Sequence, residues 1–153
     1  LGSWATVGQV SAQDAARPQP TDEEREEIRE LAGRVTRGRH PSLRSGAAGS
    51  LAAYGVKAEL AVPALVTALK DRDSSVSSAA ASALGKVGVH SKEAVTGLLS
   101  ALTSAREPIV KAYAAEGLGR IGTNAAAAVS PLVAALAAED GDVRREAALA
   151  PAS

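Results

Sequence analysis

AVPALVTALKDRDSSVSSAAASALGKVG, Ala61 to Gly88, carries two amphipathic helices and the turn between them. Val62, Leu65, Val66 and Leu69 stand at i, i+3, i+4 and i+7, one face of a helix. After a polar break, Val76, Ala80, Ala83, Leu84 and Val87 mark a second face at i, i+4, i+7, i+8 and i+11. We call the two helix A and helix B.

The pair recurs along the chain. The helix A pattern returns 33 residues later as Val95, Leu98, Leu99 and Leu102, and 34 further on as Val129, Leu132, Val133 and Leu136. Backwards by 34 it reads Ile28, Leu31, Ala32 and Val35. Helix B returns as Val110, Ala114, Gly117, Leu118 and Ile121, and earlier as Leu43, Ala47, Ser50, Leu51 and Tyr54. A last copy starts with Val143, Ala147 and Ala150 and then meets Pro151. The punctuation repeats too. His40, Asp73, Glu107 and Asp140 fall in N-cap register for helix B, and Pro41 and Pro108 follow at N1, where no amide hydrogen is needed. Gly55, Gly88 and Gly122 sit where a left-handed C′ residue is expected. Thr21 and Glu24 make a capping box for the first helix A.

A hairpin with one apolar face buries it only by stacking on its neighbours, so the period predicts an all-α superhelix of about four hairpins, the last truncated. AVPALVTALKDRDSSVSSAAASALGKVG and AVSPLVAALAAEDGDVRREAALA resemble HEAT repeats, and within them the short class named after the phycobilisome (PBS) lyases. The resemblance covers about Thr21 to the end. It implies a right-handed α-solenoid and, for most proteins of this class, a binding scaffold; lyase activity belongs to a minority. The approximate repeats are 21–55, 56–88, 89–122 and 123–153, within a repeat domain of 21–153.

Composition narrows the function classes. The chain has 153 residues, 17 Lys+Arg against 17 Asp+Glu, and 2% aromatic residues, which speaks against a nucleic-acid partner. Without Cys there is no disulfide, thiolate nucleophile or Cys-ligated zinc. No unbroken apolar run approaches 18 residues, so no transmembrane segment is expected. The chain starts at Leu1 rather than Met, which reads as a fragment or processed product of a longer bacterial protein. Val10 and Ala12 fit the −3 and −1 positions of a signal-peptidase site, so 1–12 reads as a leader remnant or as a disordered tail. The first reading implies export to the periplasm, the second a cytoplasmic protein. Residues 13–20 read as a linker. The apolar C-terminal end, Ala147 to Ala150, lacks a cap, and further repeats or another domain are expected beyond it.

The reactive-looking residues fall into the repeat pattern. His90-Ser91-Lys92-Glu93 occupies the B-to-A turn, whose other copies read VKAELA and TNAAAA around a constant length. That variability marks a solvated turn, with Ser91 placed to cap the next helix. His40 stands in an N-cap column. Arg44, Ser77, Lys111 and Arg144 form another column, four residues after the cap residues, and the resemblance implies a ladder linking the cap acids to these bases. Ser74, Ser75, Ser77 and Ser78 read as polar filler. Tyr54 reads as core, and Tyr113 as filling space between neighbouring B helices or meeting a partner.

No cofactor or metal site is expected. The candidate partner residues are Ser78, Ser82, Glu116, Arg120 and Arg145 on the B-helix face opposite the core stripe, and Tyr113 nearer the stripe. The expected function is a non-catalytic protein-interaction scaffold, and the alternative is an enzyme or enzyme accessory of the bilin lyase type.

Overall fold

Thr21 opens the first helix as the sequence predicts. Its hydroxyl accepts the Glu24 amide, and the Glu24 carboxylate accepts the Thr21 amide at 2.8 Å. The computed structural model describes residues 17–122. In that span the helices are α1 (Asp22–Arg37), α2 (Pro41–Tyr54), α3 (Val62–Ala68), α4 (Ser74–Val87), α5 (Lys92–Ser104) and α6 (Pro108–Ile121), and a 3₁₀ segment (Gly55–Ala61) joins α2 to α3. α1, α3 and α5 are the A helices; α2, α4 and α6 are the B helices. The fourth hairpin, the leader reading of 1–12 and the C-terminal end lie outside the described residues.

The hairpins stack into an α-solenoid. The B helices pack side by side more extensively than the A helices do, so they form the inner layer. Ile28, Leu31 and Val35 of α1, Val62 and Leu65 of α3, and Val95, Leu98 and Leu102 of α5 are buried toward that layer. Every helix B core position of α4 and α6 is buried as well. With so few bulky side chains, closeness comes from small ones: a Cβ on Gly85 would stand 2.6 Å from the Gly117 Cα. Two backbones touch there, which only glycine permits.

Four expectations need correction. Leu43, placed in the core stripe of α2, is 56% exposed, and Ser50 is exposed too. The equivalent Gly117 faces back toward Ala81 of the preceding B helix. Leu43 and Ser50 share that backward face, and among the described residues no hairpin precedes α2. The α2–α3 joint is 3₁₀ helix rather than an open turn, with Ala58 and Ala61 buried. Gly55 and Gly122 have φ of 56° and 65°, but Gly88 has φ −92°. Gly88 is instead hemmed in by Ala94, whose Cβ leaves no space for a side chain.

One interrupted stretch is apolar over a longer span. Pro41–Ala68, 28 residues with a mean hydropathy of 1.3 in its most apolar window, is by length and composition alone long and apolar enough to cross a membrane. In the fold the run is two helices with a non-helical Ala58 (φ −91°, ψ 20°) between them. Its Ala47, Ala48, Leu51, Val62 and Leu65 belong to the solenoid core.

Candidate functional site

The turns that join A to B helices carry the clearest polar construction. Asp73 caps α4 by accepting the Ser75 amide at 2.9 Å and the Ser75 hydroxyl, and these bonds hold its carboxyl below the usual range. Ser91 caps α5 by accepting the Ala94 amide at 3.2 Å. His40 and Glu107 occupy their N-cap positions with no side-chain cap bond.

Of the expected ladder a single rung forms among the described residues, and in a different register. Arg44 of α2 pairs with Asp71, two residues before the cap acid of the next hairpin. Its Nε and Nη2 donate to the two carboxylate oxygens at 2.8 and 3.1 Å. Its Nη1 donates to the Gly38 carbonyl at 2.8 Å, closing the C-terminus of α1. Both side chains are mostly buried, and the guanidinium holds the Asp71 carboxyl below its ordinary range. The rung thus links consecutive hairpins, whereas the expected Glu107–Lys111 pair within one helix does not form among the described residues.

One hairpin on, the same rung is missing. Ser77 takes the place of Arg44 and Ala105 the place of Asp71. Ser77 is 4% exposed, and its hydroxyl donates back to the Asp73 and Ser74 carbonyls. A cavity of about 720 Å³ opens at that seam, lined by both residues. It runs between α3 and α5, past Val66, Leu69, Gly97 and Ala101, and reaches Val110 of α6. Lys70, Arg72 and Arg106 stand at its turn end beside Glu107, and Glu93 lies on α5 near that helix's other end.

The inner B face holds most of the sequence-predicted partner residues. Ser78 and Ser82 are half-buried on α4, and the Ser78 hydroxyl donates to the Ser75 carbonyl. Glu116 and Arg120 of α6 are brought together at 2.7 and 3.1 Å. A Cβ on Gly85 would meet the Arg120 Cδ at 3.4 Å, which places that side chain over α4. Tyr113 is half-buried and packs against the core, as a space-filling residue would. Arg145 lies outside the described residues. His40 and His90 are both exposed, and among the described residues no three His, Cys, Asp or Glu side chains converge on one point.

At the other end of the hairpins, Tyr54 packs against the core while its hydroxyl donates to Glu27. That bond raises its pKa to about 12. Lys57 donates to both Glu24 oxygens at 3.0 and 3.3 Å. The missing rung escaped the sequence reading, although Ser77 and Ala105 were both visible. The signal was the pairing register, which requires knowing that Arg44 reaches the following hairpin.

A family model described as HEAT repeats matches residues 28–110 and 95–152. No curated protein matches the chain. Among solved structures, the crystal structure of an engineered protein is similar, at 25% sequence identity and a TM-score of 0.63. That match covers 81% of this chain, which spans 60% of the engineered one.

Proposed function

The chain belongs to the HEAT-repeat family, and we propose that it is a non-catalytic scaffold holding a protein partner on the inner face of its B helices. The carrying observation is the meeting of α4 and α6. Glycine backbones touch there, and Arg120, paired with Glu116, reaches over Gly85 of α4. Such a surface offers charge at one end and room for backbone approach along the rest. Solenoids present concave faces of this kind to extended partners.

A photo-cross-linking residue at Ser82, compared with one at Thr36 on the outer layer, tests the reading in cell extract. Partner adducts are expected at Ser82 alone and are lost on Glu116→Arg. Equal adducts at both positions, or none, would sink it.

Within the family we assign the repeats to the short phycobilisome-lyase class, on the residues of Ala61 to Gly88. A bilin lyase role needs a pocket with aromatic or acid–base groups; the lining between α3 and α5 holds no aromatic ring but includes Asp71, Glu93 and Glu107. A visible-absorbance shift with added bilin is the outcome that favours that role. Export rests on Val10 and Ala12 alone, and N-terminal sequencing of the secreted protein checks it.

A further inference from the structure

We propose that the edge formed by the A-to-B turns is a second docking surface, built for an extended acidic segment of a partner protein. It rests on three arginines and on the missing rung between them. Arg39, Arg72 and Arg106 each precede an N-cap residue, one per hairpin, at shifts of 33 and 34. All three are exposed, and none has an ion-pair or hydrogen-bond partner among the described residues. Arg37 and Lys70 stand on the same edge, also exposed and unpaired.

The acids on this edge do not neutralise that row. Asp71 is balanced by Arg44; Asp73 keeps its charge while capping α4, and with Glu107 it opposes the five unpaired cations of the edge. Glu107 remains without a partner among the described residues, and Glu93 lies on α5 away from its turn end. A neutral chain thus carries a locally basic edge.

Spacing selects the partner. Packed helices lie about 8–10 Å apart, so successive arginines recur at roughly that interval. An extended peptide in the polyproline II conformation advances about 3.1 Å per residue with three residues per turn, so every third side chain returns to the same face about 9 Å on. Carboxylates at i, i+3 and i+6 meet the row one to one. A strand of duplex nucleic acid sets a charge about every 3.4 Å, about three times as densely, so most of its phosphates meet no arginine of the row.

The cavity gives the edge its anchor. Where hairpins one and two are latched by Arg44 and Asp71, hairpins two and three have Ser77, Ala105 and about 720 Å³ of space, with Arg72 and Arg106 in its lining. A partner's acidic side chain entering there occupies the place of the absent carboxylate and meets both arginines. This surface is distinct from the inner B face, so its failure leaves the cross-linking test above intact.

The test uses the full chain and a fluorescent peptide of about nine residues with aspartate at every third position. Its isomer with the aspartates contiguous and a single-stranded oligonucleotide serve as comparisons, all read by anisotropy. The spaced peptide is expected to bind most tightly and to weaken as salt rises. Arg72→Glu with Arg106→Glu is expected to weaken it by about tenfold while thermal melting is unchanged. Ser77→Arg with Ala105→Asp, which refills the rung, should abolish the preference for the spaced isomer. Equal binding of the two isomers, tighter binding of the oligonucleotide, or indifference to the charge reversal overturns the proposal.

Discussion

Arg44 and Asp71, 27 residues apart, are joined by two parallel hydrogen bonds that latch the first hairpin to the second. The same guanidinium also closes the C-terminus of α1 through the Gly38 carbonyl. Bidentate pairs of this geometry are among the stronger polar contacts in proteins. Asp71→Ala leaves a mostly buried guanidinium with one partner instead of two. It is expected to lower Tm by several degrees in a calorimetric scan. Glu26→Ala removes an exposed partner of Arg29 and should leave Tm unchanged.

Acid should release three carboxylates together. Asp71 is held low by Arg44, Asp73 by the Ser75 bonds, and Glu24 by the Thr21 amide and Lys57. A carboxyl with a depressed folded value lends stability above its unfolded pKa, about 4, and loses it as pH falls through the folded value. Tm is therefore expected to hold from neutral pH down to about pH 4 and to fall below it. Asp71→Asn should flatten the fall.

Tyr54 works in the opposite direction. Its pKa is raised from 10.0 to about 12 by the bond to Glu27. Its contribution is full below the unfolded value and lost as pH rises through the folded one. In a Tyr113→Phe background, tyrosinate absorbance should show Tyr54 ionising above the ordinary tyrosine range. Glu27→Gln is expected to bring Tyr54 back toward the ordinary value. If Tyr54 ionises in the ordinary range in the native protein, the Tyr54–Glu27 bond is absent in solution.

Core truncations separate buried positions from the open end. Leu84 is fully buried in α4, and Leu84→Ala should cost roughly 2–5 kcal/mol. Leu43→Ala should stay within about ±0.5 kcal/mol, because that side chain is largely exposed. Urea denaturation of the two variants decides it, and equal losses would refute the assigned stacking order.

The glycines of the B helices should respond with opposite signs. Alanine at Gly46 or Gly49 meets nothing within 4 Å and is expected to stabilise by about 0.5–1 kcal/mol. Gly85→Ala gains the same helical preference but drives a Cβ to 2.6 Å from the Gly117 backbone. Overpacking costs about 1–3 kcal/mol, so the net effect is a loss. Chemical denaturation of both variants reads the sign directly.

The repeat was legible because helical periodicity and caps are local properties. Thr21, Glu24, Asp73 and Ser91 act as their spacing says. Leu43 and Ser50 match the core pattern residue for residue, yet a pattern cannot state that the hairpin which would cover them is absent from the described span. Gly88 was read as a backbone requirement and is instead a matter of space, which depends on where Ala94 arrives. The partner of Arg44 was misjudged for the same reason: a ladder between hairpins is a relation across 27 residues. Of the candidate partner surface, Glu116 and Arg120 form an i, i+4 pair that the sequence reading does not name, while the cavity follows from nothing local.

Hairpins two and three meet backbone to backbone on one layer, and on the other they touch where Gly97 abuts Val66 and Leu69 and part toward the turns. Glycine backbones touch between α4 and α6, while about 720 Å³ stands open between α3 and α5. The seam is a wedge, with a fixed fulcrum on the inner side and slack on the outer. Bending that narrows the gap presses Gly97 onto Val66 and Leu69, while bending that widens it strains no ionic latch. An occupant of the gap acts as a shim: it removes the slack without touching the fulcrum and turns a compliant joint of the superhelix into a stiff one.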